Sequence, residues 1–154
     1  MNSTKLISTL FKPRQAATAL YATQAEAIQA KVFKRLIKDA ANTEWGLEYS
    51  YKDIKSYQDY QRVPLQTYEE IKPYVERMRR GEKNVLWPGE VIWFAKSSGT
   101  TNDKSKFIPV SKEGLHDIHY AGGMDAVALY LQQNPDSRFF SGKGLILGGS
   151  RAQN

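Results

Sequence analysis

Apolar residues recur at Ile28, Val32, Leu36 and Ala40, flanked by Phe33 and Ile37, a spacing that returns to one side of a helix every three to four residues. The pattern predicts one long amphipathic helix from about Ala16 to Ala41, with Gly46 placed to end it. The opposite face carries Lys31, Lys34, Arg35 and Lys38. Lys34 and Lys38 stand at the i, i+4 spacing, where like charges repel mildly unless an anion lies nearby; a solvated face is the simplest reading.

From Asn42 to Tyr60 aromatic and polar residues alternate without a helical period, which predicts short turns and a short helix from Ser56. Arg62-Val63-Pro64-Leu65 is extended because of its proline. Thr67 followed by Glu70 has the spacing of a capping box, so a helix starts there; it carries Tyr74, Val75 and Met78 and ends at Gly81, with Arg77, Arg79 and Arg80 in its last turn.

Leu86-Trp87-Pro88-Gly89 reads as a turn, and Val91-Ile92-Trp93-Phe94-Ala95 as a buried strand. A polar loop from Lys96 to Lys106 follows, then the short extended Phe107-Ile108-Pro109-Val110. Ser111 is placed to cap a helix running to about Gln133, burying Ile118, Met124, Val127, Ala128 and Leu131, and Asn134-Pro135 stops it. Gly144-Leu145-Ile146-Leu147-Gly148 reads as a second short strand.

The expected fold is therefore α/β: residues 1–90 mainly helical, and residues 91–154 a strand-loop-helix-strand crossover unit of a parallel sheet. Parallel sheets are covered on both faces, and two short strands cannot be; the chain is expected to be the front part of a larger α/β fold.

With 154 residues, of which 41% are hydrophobic and 25% charged, the chain can bury a core, which excludes a disordered or collagen-like protein. It has no cysteine, so disulfides, thiolate metal sites and a cysteine nucleophile are excluded. The net charge of +6 suits an anionic partner without choosing among nucleic acid, acidic lipid and nucleotide. The apolar stretch Leu6 to Phe11 is too weak for a secretory signal, and no run approaches the length of a membrane span. A soluble cytoplasmic protein is the default expectation.

The stretch with chemistry is Lys96-Ser97-Ser98-Gly99-Thr100-Thr101-Asn102-Asp103-Lys104-Ser105-Lys106, directly after a predicted strand. Binding phosphate requires backbone N–H groups that approach closely, hydroxyl donors and a cation. Gly99, the clustered hydroxyls, Lys104 and Lys106 supply these, although the glycine and lysine spacing of a Walker loop is absent. An ordinary polar surface loop has the same composition.

The string Ser97-Ser98-Gly99-Thr100-Thr101, with Lys106 and Ile108-Pro109 after it, resembles the phosphate-binding loop of adenylate-forming enzymes. Within them the chain is most similar to the auxin-responsive Gretchen-Hagen-type acyl-acid amido synthetases, including their bacterial relatives. Supporting phrases are Arg62-Val63-Pro64-Leu65, Tyr68-Glu69-Glu70-Ile71-Lys72-Pro73-Tyr74, the run from Gly81 to Gly89, and Gly142-Lys143-Gly144. The likeness runs from about Trp45 to Ser150. The wider superfamily usually has glycine after the paired hydroxyl residues, where this chain has Asn102, a residue that tolerates the left-handed conformation.

The resemblance implies the N-terminal part of the large domain of an enzyme that activates a carboxylic acid with ATP, accompanied by Mg²⁺, to an acyl-adenylate and passes the acyl group to an amino acid. Ser97, Ser98, Thr100 and Thr101 would donate to phosphate oxygens, Gly99 would admit the backbone, and Lys106, with Lys104 as second candidate, would neutralise the departing pyrophosphate. The family's adenine, ribose and acyl contacts belong to later motifs that do not occur in this sequence. The chain alone is accordingly expected to be inactive, and no catalytic residue is assigned.

Other candidates have simpler readings. His116 and His119 share a helix face without a third metal ligand, and no metal site is assigned. Arg77, Arg79 and Arg80 near tyrosines could be a nucleic-acid patch but suit a helix C-terminus. Trp87 and Trp93 read as core or turn packing. Gly148-Gly149-Ser150 reads as a turn. A non-enzymatic basic nucleic-acid-binding module and a partner-dependent fragment prone to self-association are the alternatives; nucleic acid and membrane are not expected as partners of the enzyme.

Overall fold

The computed structural model describes residues 3–97 and 105–145. Helix α1 spans Ser3–Ala40, α2 Glu44–Glu48, α3 Tyr57–Tyr60 and α4 Tyr68–Arg79. Strands β1 (Trp93–Lys96) and β2 (Phe107–Val110) follow, then a π-helical segment Gly114–Tyr120 that runs into α5 (Ala121–Gln133). The described residues are thus mainly helical with one small sheet.

Helix α1 reaches well before the predicted start at Ala16, and Gln24, at φ −128° and ψ 22°, divides it by a kink. The earlier half owes its order to α5 rather than to its own apolar pattern. Arg14 Nε donates to Asp125 Oδ1 at 2.7 Å, Gln15 Nε2 donates to the Ala128 carbonyl at 3.0 Å, and Phe11 stacks on Phe140. The later half buries Ile37, Ala40 and Ala41, with Phe33 partly buried, against Tyr51 and Ile54. The predicted stripe is therefore out of phase: Val32 and Leu36 are 41% and 43% exposed, because the Tyr51–Asp53 3₁₀ turn docks one helix row over. Burial, with Tyr60 nearby, pushes the Tyr51 phenol up to about 12, which keeps it neutral at any physiological pH.

Gly46 does not end α1, as its sequence position suggests; it lies inside α2. A Cβ there would stand 2.0 Å from the Ala40 carbonyl oxygen, so glycine is what lets α2 press against the end of α1. Thr43 makes the corner: its hydroxyl donates to Ala40 O at 2.7 Å and accepts from the Gly46 N–H at 3.0 Å. The first amides of α2 are satisfied from far along the chain, Glu44 N–H by Asn84 O and Trp45 N–H by Val85 O.

The start of α4 is as predicted. Glu70 accepts from the Thr67 N–H at 2.6 Å and from its hydroxyl at 2.8 Å. The end is a Schellman arrangement: Glu82 N–H donates to Arg77 O and Gly81 N–H to Met78 O, with Gly81 at φ 87°. The following turn is closed by Asn84, whose amide donates to Gly89 O and whose Oδ1 accepts from the Gly89 N–H at 2.7 Å. Met78, Val85 and Val91 form a second buried cluster, and Trp87 packs against both clusters, joining them.

The sheet differs from the expectation. β1 and β2 pair antiparallel, with Trp93 opposite Val110, Phe94 opposite Pro109, Ala95 opposite Ile108 and Lys96 opposite Phe107. The segment read as merely extended is thus the partner of β1, and the polar loop is the connection of a hairpin. Pro109 lacks an N–H, which an edge strand tolerates. Nor is β1 a buried strand: Trp93 is 63% and Ile108, on the same face of the sheet, 52% exposed, since the face that carries them with Ala95 has no second layer among the described residues. Of the predicted strand 144–148, Gly144 and Leu145 have no regular structure, and residues 146–148 lie outside the described residues.

Ser111 caps as predicted, its Oγ accepting from the Gly114 N–H at 3.0 Å, and the helix ends at Asn134, whose side chain donates to Tyr130 O. Its packing is not as predicted. Ala128 and Leu131 are buried, but Ile118 is 73% and Met124 44% exposed. The wider turn of the π-helical segment rotates the later residues relative to an α-helical count, so a single period cannot place both halves on one face.

Candidate functional site

The base of the hairpin is where the predicted loop residues can be followed. Beyond the Lys96–Phe107 pair, Ser97 N–H donates to Lys106 O at 2.9 Å, and Lys106 N–H donates to Ser97 Oγ at 2.9 Å. The ends of the loop are therefore fixed to each other by one backbone and one side-chain bond. Of the predicted phosphate-loop residues, the structure brings Ser97 and Lys106 together; Ser98, Gly99, Thr100, Thr101 and Lys104 lie outside the described residues.

Helix α4 braces this base. Phe107 N–H donates to Tyr68 Oη at 2.9 Å, and the Lys106 ammonium stands 5.5 Å from the centre of the Tyr68 ring. At the other end of α4, the Arg79 guanidinium lies 3.6 Å over the Phe107 ring while pairing with Glu76. Tyr68 follows directly on the Thr67 cap. Bonds from the Thr67 amide and hydroxyl hold the Glu70 carboxyl below its ordinary range, so it stays ionised and the cap stays formed.

Two features of the base matter chemically. Ser97 Oγ acts as an acceptor here, which leaves its O–H to donate elsewhere. Lys106 makes no ion pair with a carboxylate among the described residues.

Sequence reasoning missed Tyr68 and Arg79 as parts of this site. Tyr68 lies within one of the phrases that carry the family likeness, a signal that pointed to it without giving a role. Arg79 gave no signal beyond helix-terminal charge.

The remaining candidates are placed elsewhere. Arg77 joins Glu44 and Glu82 in an ion cluster that ties α4 to α2, and Arg79 is paired as described. His116 and His119 each contact the Tyr120 ring at 5.5 Å. Among the described residues no group of three or more His, Asp or Glu side chains gathers to hold a metal ion, and no helix is long and apolar enough to cross a membrane. Trp87 donates from Nε1 to Glu113 at 3.0 Å and is packed as expected, whereas Trp93 is exposed and not core. Gly148-Gly149-Ser150 lies outside the described residues.

The described part of the site is thus a hairpin base, Ser97 and Lys106, held against a capped helix. Residues 16–153 match the GH3 family N-terminal domain, and the chain belongs to that family. It is 31% identical over 91 residues to the jasmonoyl-L-amino acid synthetase JAR6 of Nicotiana attenuata, a stretch covering 56% of this chain and 15% of that protein. It is 32% identical over 92 residues to the jasmonoyl-L-amino acid synthetase GH3.5 of Oryza sativa subsp. japonica, covering 57% and 16%. To the indole-3-acetic acid-amido synthetase GH3.2 of Arabidopsis thaliana it is 26% identical over 110 residues, covering 69% and 20%. The chain thus spans about a fifth or less of the length of these curated relatives.

Proposed function

We propose that this chain carries the ATP-phosphate loop of an acyl-acid amido synthetase. In the reaction, a carboxylate oxygen attacks the α-phosphorus of ATP, the bond to the β-phosphate oxygen breaks, and pyrophosphate leaves an acyl-adenylate. The amine of an amino acid then attacks the acyl carbon and AMP departs with the electron pair. Ser97, Ser98, Thr100 and Thr101 donate to phosphate oxygens, Gly99 admits the backbone, and Lys106, seconded by Lys104, offsets the charge that gathers on pyrophosphate. Mg²⁺ would enter on the triphosphate, and no protein ligand is assigned to it.

What supports this reading most is the doubly bonded Ser97–Lys106 base, in which Ser97 Oγ accepts and keeps its own O–H to donate while Lys106 has no carboxylate partner among the described residues. Such a base fixes Ser97 before a ligand arrives, which is how fixed dipoles act on developing charge without reorganising. The names of the relatives agree with the reaction type. Binding of MgATP without ATP–pyrophosphate exchange is the expected pair of results for this chain; robust exchange would show that it needs no further residues for adenylation, and would overturn that part of the proposal.

A second reading, a partner-dependent portion of a larger fold, is favoured by the hairpin's outward face, where Trp93, Ile108 and Ala95 stand exposed. Sedimentation velocity would report association that rises with concentration and is relieved by Ile108→Thr; a sharp monomer at all concentrations would remove this reading.

A further inference from the structure

A groove runs along the later half of α1, away from the hairpin. One lobe, about 330 Å³, has Phe33, Ile37, Ala41, Tyr51 and Ile54 as its floor. A second lobe, about 540 Å³, continues from it past Ala30 and Tyr57, and the two share Phe33, Lys34 and Lys55. Lining residues from Glu26 to Ala41 span about 22 Å of helix at 1.5 Å per residue. Each lobe has the volume of a small-molecule site.

The rim is cationic on both sides. Lys34 and Lys38 come from α1, and Lys52 and Lys55 from the turn opposite. Lys55 donates to Lys52 O at 2.6 Å, while Lys34, Lys38 and Lys52 make no ion pair among the described residues. Glu26, at the far end of the second lobe, is the one carboxylate among the described residues lining either lobe. Lys34 and Lys38 are the like-charge pair at i, i+4 that a nearby anion would relieve. Between the rows lies an apolar floor, and Tyr57, 62% exposed, extends it with an aromatic edge against Phe33.

We infer that this groove binds an amphiphilic organic anion, its carboxylate or phosphate head among Lys34, Lys38 and Lys52 and its apolar body along Phe33 toward Ala30 and Tyr57. Charge complementarity sets the orientation, since Glu26 repels the head from the other end. Among the described residues none of the hairpin lines the groove, and the inference does not rest on the phosphate-loop assignment.

Calorimetric titration with decanoate, decyl phosphate and uncharged decanol, below their aggregation limits, tests it. Both anions are expected to bind, decanol at least about tenfold more weakly, and the double variant Lys34→Gln, Lys38→Gln to lose about tenfold for the anions while its thermal midpoint and MgATP binding stay unchanged. Equal binding of decanol, unchanged affinity in the double variant, or no binding up to about 1 mM would each overturn the inference. A co-sedimentation arm with phosphatidylcholine vesicles, with and without phosphatidylserine, separates the source: lysine-dependent binding to anionic vesicles without binding of free anions would assign the face to a membrane surface instead.

Discussion

Ser97 and Lys106 close the base of the hairpin twice, through the Ser97 N–H to the Lys106 carbonyl and through the Lys106 N–H to the Ser97 hydroxyl, both at 2.9 Å. Only the second bond depends on a side chain. Ser97→Ala keeps the backbone bond and leaves a half-buried amide without its acceptor, at a cost of about 1 kcal/mol. Urea unfolding is expected to show that loss and nucleotide titration a weaker MgATP complex, while Ser97→Thr, which keeps the hydroxyl, stays close to the native protein in both. Equal stability of the alanine and threonine variants would deny the hydroxyl its part in the base.

Two glycines respond to the same substitution in opposite ways. Gly46→Ala drives a Cβ into the Ala40 carbonyl oxygen, and since backbone cannot swing aside like a side-chain tip, the loss is expected to exceed about 3 kcal/mol. Gly122, in α5, has nothing within 4 Å of the position a Cβ would take, so Gly122→Ala is expected to gain about 0.5–1 kcal/mol from helix propensity and unfolded-state entropy. Thermal unfolding of the two variants checks the contrast; a tolerated Gly46→Ala would contradict the packing of α2 on the end of α1.

Acid should loosen the join between α4 and α2. Hydrogen bonding to the Arg77 guanidinium holds the carboxyls of Glu44 and Glu82 below their ordinary value of 4.5. Because the folded values are the lower ones, these groups contribute stability that is fully present above about pH 4.5 and is lost as pH falls through the folded values. The thermal midpoint is therefore expected to fall between about pH 5 and pH 3, and the gap between the native protein and Arg77→Met to narrow over that window. A gap that stays constant would mean that Arg77 acts through packing alone.

Much of the local structure could be read from the chain. The capping pair Thr67 and Glu70, the short helix from Ser56, the stop at Asn134 and the end at Gly81 depend on neighbours within a few residues, and each stands where the pattern put it. What failed depends on distant partners. The early half of α1 is ordered by Arg14 and Gln15 meeting α5, more than a hundred residues along. Gly46 is ambiguous by sequence because a glycine that ends a helix and one that admits another helix look alike. Of the site, the residue types at Ser97 and Lys106 were legible, but the brace from Tyr68 and Arg79 needed the packing of α4 on the hairpin.

Titration of the chain with MgATP, pyrophosphate and AMP reads out directly the proposal that the hairpin holds a loop for the phosphates of ATP. MgATP and pyrophosphate are expected to bind and compete, AMP to bind far more weakly, and Lys106→Ala to weaken both phosphate ligands by about tenfold or more without moving the thermal midpoint. Absence of MgATP binding, AMP binding as tight as ATP, or an unchanged affinity in Lys106→Ala would contradict it.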